Sequence, residues 1–288
     1  MIRLLKAEFF KIRKNRTFKI LLLISMFISI FTIISLKLLE SEEFQQELSV
    51  AVEQTNEMLN IENNNEYRPG SNAGISMNYE DISNPTAKEI FLNSFGSGVI
   101  QMFMSFLIAA IVAKEYSKGT IKNILAYGRK REEYYISKII VGAISSGIVL
   151  ISMTLIPLIY GLICYEWGTT FNFKEVLWIL KTYLSAFIVM CTITSLLTLL
   201  ATLLKSNGTT IAIGVVTFTF LPLFTSFLYG HFTWVDNILK VTTSYNFGLV
   251  ISKYATNSQI LMALVVSVIV FITSTLIGCE VIKKQDIK

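Results

Sequence analysis

Residues 115–138 read EYSKGTIKNILAYGRKREEYYISK, from Glu115 to Lys138. This charged stretch lies between two apolar runs, Phe95–Ala113 and Ile139–Cys164, each long enough to be a buried or membrane-crossing helix. Inside it, Ile121, Ile124 and Leu125 recur at i, i+3, i+4, which predicts a short helix with one apolar face. Ser117 or Gly119 would open that helix and Gly128 would stop it. Arg129, Lys130 and Arg131 follow. Glu132 and Glu133 favour the start of the next helix, and Tyr134, Tyr135 and Lys138 carry it into the third apolar run. The expected product is a short amphipathic helix on two helical stalks. No other part of the chain is expected to cover its apolar face. A groove on a partner would cover it, and so would the surface of a membrane.

The rest of the composition agrees with a bilayer setting. Of 288 residues, 53% are hydrophobic and only 16% charged, where a soluble chain carries about a quarter. The mean hydropathy is +0.58. Six runs approach the roughly 20 residues needed to cross a bilayer: Lys19–Leu36, Phe95–Ala113, Ile139–Cys164, Tyr183–Leu204, Thr209–Leu228 and Ile260–Val281. The fold class expected is therefore all-α and polytopic, with six transmembrane helices. The first run starts after basic residues but has no small-x-small cleavage pattern behind it, which reads as an uncleaved anchor. Cys164, Cys191 and Cys279 fall in predicted spans far apart in sequence and read as packing residues.

Charge sets the expected orientation. Met1–Phe18 holds six basic residues against Glu8 alone, and Lys114–Lys138 holds seven against three acids. The segment 37–94 has three basic residues against eleven acids. Lys and Arg gather on the cytoplasmic side of short loops, so both termini are expected in the cytoplasm. The net charge of +5 then belongs to inner loops, and no nucleic-acid surface is implied.

Residues 1–18 predict an amphipathic interfacial helix, with Leu5, Phe9 and Ile12 on one face and basic residues able to meet anionic headgroups. An ordinary positive flank to the first span is the alternative. The outer segment 37–94 begins with a helical stripe at Phe44, Leu48, Ala51, Val52 and Leu59 and turns polar at NNNEYRPGSNAG. It ends in a short helix opened by Pro85. Such a largely helical insertion would meet a substrate, a partner or the cell wall, or would be a solvated cover. Residues 229–259 are aromatic and carry few charges, with Val235, Ile238 and Leu239 at helical spacing. They predict short interfacial or re-entrant helices at the outer surface. Lys181, just before the fourth span, is expected to snorkel to headgroups. Pro157 and Pro222 should kink their spans.

Acidic, basic and histidine side chains avoid the middle of every predicted span, which argues against ion-coupled transport and intramembrane catalysis. His231 has no cluster of ligating residues beside it, and no metal site is expected. No GxxxxGK[ST] phosphate loop occurs, so the chain has no ATP site of the common kind. Gln101, Ser105, Thr194, Thr198 and Thr202 are polar residues inside spans. They are candidates either to line a translocation path or to let helices pack closely.

The pattern of Glu115, Gly119-Thr120, an apolar-faced helix from Ile121 to Tyr127, Arg129 or Arg131, and Lys138 resembles the segment after the second span in permeases of type-2 ATP-binding-cassette (ABC) exporters. The six-span layout, the surface helix at the N-terminus and the aromatic outer loop before the last span are similar to that family as well. Many members have a proline where this chain reads Tyr127-Gly128. The Lys-, Ile- and Asn-rich style is similar to small bacitracin- or lantibiotic-immunity permeases of Gram-positive bacteria.

The resemblance implies a domain plan: a cytoplasmic interfacial helix (1–18), then a six-span permease domain (19–288). Within the latter lie the outer segment 37–94, a cytoplasmic coupling hairpin (114–138) and the outer loop 229–259. It implies ATPase coupling through Glu115, Gly119, Thr120, Ile121, Ile124, Leu125, Tyr127, Arg129, Arg131 and Lys138, with Glu115 paired to Arg129 or Arg131. The implied partners are two ATPase subunits, a second permease, identical or related, the lipid bilayer and an amphipathic or hydrophobic substrate such as a peptide antibiotic, toxin or drug. This chain would hold no cofactor and catalyse nothing itself, because the partner ATPase binds ATP and Mg. An ATP-independent scaffold or channel, or less readily an intramembrane enzyme, are the alternatives.

Overall fold

The computed structural model describes residues 1–39, 84–122, 130–226 and 228–285, and among them every regular element is a helix. The expected stripe at Phe44–Leu59 lies outside the described residues, as do Ile124, Leu125, Tyr127 and Arg129.

The chain opens with α1 (Ile2–Lys14). Asn15 breaks it in an extended conformation, and its Oδ1 accepts from the Thr17 amide at 2.9 Å, starting α2 (Arg16–Leu39). The next described helices are α3 (Ala87–Asn93) and α4 (Ser97–Ile108). Pro85 does not open α3. Thr86 is the N-cap, locked by a reciprocal capping box with Glu89, because a hydroxyl can accept the Glu89 amide and proline can offer nothing comparable. A π turn at Ala109–Ala113 joins α4 to α5 (Lys114–Ser117). Residues 120–122 are helical again.

Two helices of 34 and 32 residues follow, α6 (Arg131–Cys164) and α7 (Phe173–Leu204). At about 1.5 Å per residue each is roughly 50 Å long, well beyond the ~30 Å of a hydrocarbon core. Both begin eight to ten residues earlier than hydropathy alone suggests. Lys181 therefore lies within α7 rather than ahead of it, and its ammonium donates to Asn257 Oδ1 at 2.6 Å. The expected fifth span is a broken helix: α8 (Asn207–Val215), a π turn at Val216–Phe220 and α9 (Leu221–Ser226). Pro222 explains the break. It lacks an amide hydrogen, and its ring crowds the carbonyl four residues earlier, at Phe218 inside the π turn. Then come α10 (Thr233–Val241), α11 (Thr243–Val250) and α12 (Asn257–Lys284). Five helical runs are long and apolar enough to cross a membrane, and Asn207–Phe220 is a shorter apolar helix.

Packing follows a pattern opposite to that of a soluble protein. On α2 the buried residues include Ser25, Ser29 and Thr32 beside Phe18, Leu21 and Leu36, while Leu23, Phe27 and Ile34 are exposed. On α12 the buried set includes Ala263, Ser267, Ser274 and Gly278, and Met262, Val265, Ile269 and Leu276 face out. Small residues let apolar helices approach, and their hydroxyls bond across the seam. Ser29 Oγ donates to Met153 O at 2.6 Å, and Ser195 and Ser274 hydroxyls meet at 2.8 Å. A Cβ on Gly278 would sit 1.9 Å from Tyr135 Oη, so α12 touches α6 where no larger residue fits. Helix α7 lies at the centre, with Val189, Met190, Ile193, Leu197 and Ala201 fully buried. Length, apolar surface and buried small residues together point to a membrane protein.

Candidate functional site: a buried ring of charge at the root of the hairpin

The expected apolar stripe of α1 was Leu5, Phe9 and Ile12. The face that packs is instead Leu4, Glu8 and Ile12, and Phe9 points outward. An acid occupies the middle of a buried face because a buried cation waits for it. Lys138, about two turns into α6, is 1% exposed, and its ammonium lies 2.5 Å from Glu8 Oε2 and 2.8 Å from Glu115 Oε2. Lys11, one turn after Glu8, closes the circuit, with its Nζ 2.6 Å from Glu8 Oε1 and 3.0 Å from Glu115 Oε1. Two carboxylates and two ammonium groups thus alternate in a ring of zero net charge, and each carboxylate oxygen named has a partner. Tyr134 adds a hydroxyl donating to Glu115 Oε2 at 2.7 Å, and its ring lies 5.1 Å from the Lys138 ammonium. Burial pulls the Lys11 ammonium down, but the Glu8 hydrogen bond and the Glu115 and Glu8 charges outweigh it, and its pKa ends above the ordinary 10.5.

The ring corrects the expected partner of Glu115. Arg131 does not pair with it. The Arg131 guanidinium instead donates to the carbonyls of Ile282, Lys283 and Gln285, at 3.3, 3.0 and 2.6 Å, tying the start of α6 to the end of α12. A helix C-terminus has free carbonyls and partial negative charge, so a guanidinium is well placed there. Glu132 pairs with Lys283 across the same junction.

The root of the hairpin is equally bound to its own chain. Ile121 is 2% exposed, which overturns the expectation that no part of the chain covers the hairpin's apolar face at this residue. Leu4 from α1, Tyr134, Tyr135 and Ile139 from α6, and Ile282 from α12 form its cluster. Gly119 has φ +67°, a left-handed turn that suits glycine, and reverses the chain after α5. Thr120 is exposed and its hydroxyl donates to Glu115 O at 3.3 Å. Ser117 Oγ accepts from the Asn207 amide at 3.2 Å, joining the α7–α8 turn to the hairpin. Lys114, Lys118 and Lys122 are exposed.

The five polar residues expected within the spans are all buried. Thr194, Thr198 and Thr202 donate to Met190, Thr194 and Leu199 carbonyls of their own helix, and Ser105 to that of Gln101. Gln101 Oε1 accepts from Ser244 at 2.9 Å, joining α4 to α11. Thr194 is 2.8 Å from where a Cβ on Gly142 would stand, and Ser105 Oγ 2.6 Å from one on Gly214, so these residues sit at close helix contacts.

Glu8, Lys11 and Tyr134 were not legible as site residues, although Glu8 gave one signal: it is the lone acid of a basic segment. At the other end of the bundle, a cavity of about 380 Å3 has Trp167, Trp178 and Tyr254 among its walls, with the Lys88 ammonium 4.3 Å from the centre of the Trp178 ring.

Residues 48–288 match the family described as Protein of unknown function (DUF2705). The chain belongs to this family. Within the matched DUF2705 region lie Glu115, Tyr134 and Lys138, while Glu8 and Lys11 precede it. No curated protein and no solved structure matches the chain.

Proposed function

We propose that this protein is the membrane-spanning subunit of an ATP-driven bacterial exporter, multi-pass in the plasma membrane with both termini cytoplasmic, working through separate ATPase subunits. The observation that carries the reading is the charge ring. It welds the two stalks of the hairpin, at Glu115 and Lys138, to each other and to α1. A load applied to the hairpin tip would then reach α4, α6 and α12 as a rigid displacement, because buried ion pairs in fixed geometry resist shear better than a loop does. The exposed Thr120 and Lys122 and residues 123–129 would form the docking surface. The broken helix from Asn207 to Ser226 would complete six spans. A pair of such permeases, identical or related, would move an amphipathic or hydrophobic substrate such as a peptide antibiotic, toxin or drug. The lack of a phosphate loop leaves ATP and Mg to the partner.

Affinity purification from native membranes tests this. Wild type should bring down a P-loop ATPase, and Lys122→Glu with Ile124→Asp should lose it while the permease keeps its yield and thermal midpoint. Absence of any ATPase, or full retention by the double variant, would favour an ATP-independent scaffold or channel.

A further inference from the structure

Between α1 and the inner end of α4–α5 runs a groove of about 490 Å3. Its acidic residues are Glu8 and Glu115, and both are consumed by Lys138 and Lys11. Four further cations line it: Lys14, Arg16, Lys114 and Lys118. Each is exposed, and among the described residues none of the four has a carboxylate partner. Four unneutralised cations around one concavity repel one another, and an anion seated among them relieves that repulsion. The floor is apolar, with Ile12 and Ile111 almost fully buried. The rim carries Phe10, 63% exposed, and α2, which starts at the groove with Arg16, turns Ile20 and Leu23 outward. A site with a cationic mouth, an apolar floor and an apolar flank continuous with a lipid-facing helix fits a ligand that has an anionic head and an acyl tail.

We infer that this groove binds the phosphate headgroup of one anionic phospholipid, its acyl chains lying along Phe10 and α2. The ligand bridges α1 to α4–α5 on the open side of the junction that the ring closes from within. Lys14 and Arg16 from one wall and Lys114 and Lys118 from the other supply donors to the phosphate oxygens. The inference rests on the membrane setting of the chain and not on an ATPase partner, so it is measured on the purified full-length chain alone.

The test is binding of phosphatidylglycerol to the protein in a neutral detergent, read by native mass spectrometry and by titration of a fluorescent analogue. Wild type should hold one such lipid in preference to phosphatidylcholine. At about a factor of five per basic residue, Lys14→Gln with Lys114→Gln should weaken binding roughly thirty-fold, and Lys118→Gln alone about fivefold. Lys6→Gln with Lys284→Gln removes two exposed cations that do not line the groove, and should leave affinity within about twofold. Equal loss in both double variants would mean a diffuse basic belt and would overturn the site. So would unchanged binding in the groove variants, or equal binding of phosphatidylcholine. Displacement by inorganic phosphate at the concentration of the lipid would assign the groove to free phosphate and overturn the lipid.

Discussion

Replacing Lys138 by Met tests the ring directly. The variant keeps the length of the side chain and its packing but removes the one cation that is 1% exposed. Glu8, 2% exposed at its side chain, and Glu115, 14% exposed, would then face each other with only Lys11 between them, and Lys11 is 45% exposed. Stripping one partner from a buried pair costs about 3–5 kcal/mol, because the remaining charge stays desolvated. At roughly 2–4 °C per kcal/mol for a chain of this order of size, the thermal midpoint should fall by about 6–20 °C. The assay is thermal unfolding of the purified protein in one detergent at a fixed scan rate, since membrane proteins often unfold irreversibly. The double variant Glu8→Leu with Lys138→Met removes charge from both sides and should recover most of that loss, giving a coupling of more than about 1 kcal/mol in a double-mutant cycle. A fall of less than about 2 °C in Lys138→Met, or a double variant no better than the sum of the singles, would mean the ring does not hold these helices together.

The neighbouring tyrosines should respond in opposite ways. Tyr134→Phe deletes the donor to Glu115 and should cost about 1.5–3 kcal/mol, whereas the buried Tyr135 hydroxyl has no partner among the described residues, so Tyr135→Phe should be neutral or stabilising in the same thermal assay. Because the Lys11 pKa is raised on folding, its contribution is full below the ordinary 10.5 and fades as pH climbs through the higher folded value. The midpoint difference between wild type and Lys11→Met should therefore be constant around neutral pH and shrink above 10.5; a difference that already shrinks between about pH 7 and 9 would contradict this. Cys164 is exposed at the end of α6 far from the hairpin. In a variant with Cys191→Ala and Cys279→Ala, an impermeant maleimide added to intact cells should label it, and labelling only after lysis would reverse the orientation.

How legible all this was in the sequence varied with the kind of force involved. The long helices were plain because twenty apolar residues in a row leave little else for the chain to do. Their ends were not, since α6 and α7 extend beyond the hydrocarbon thickness on charged or aromatic turns that hydropathy does not count. Spacing also predicted the wrong face of α1. The pattern Leu5, Phe9 and Ile12 counts apolar residues only, and the real seam runs through Glu8 because an acid with two ammonium partners is as buryable as a leucine. The expected partner of Glu115 is Arg129 or Arg131, but sequence distance does not disclose that the carbonyls of Ile282, Lys283 and Gln285 arrive beside Arg131.

By itself, then, the sequence determined that the described part of this chain is helical with several helices fit for a bilayer, and that a charged stretch follows the second of them, because composition and periodicity are local properties. Tertiary structure alone decided which charges meet. Glu8, Glu115 and Lys138 are separated by more than a hundred residues end to end, and only the packing of α1 against α6, through an apolar cluster shared with Ile121, brings both carboxylates within 3 Å of the Lys138 ammonium. Ion pairing is a matter of a few ångströms in three dimensions, and no one-dimensional pattern carries that distance.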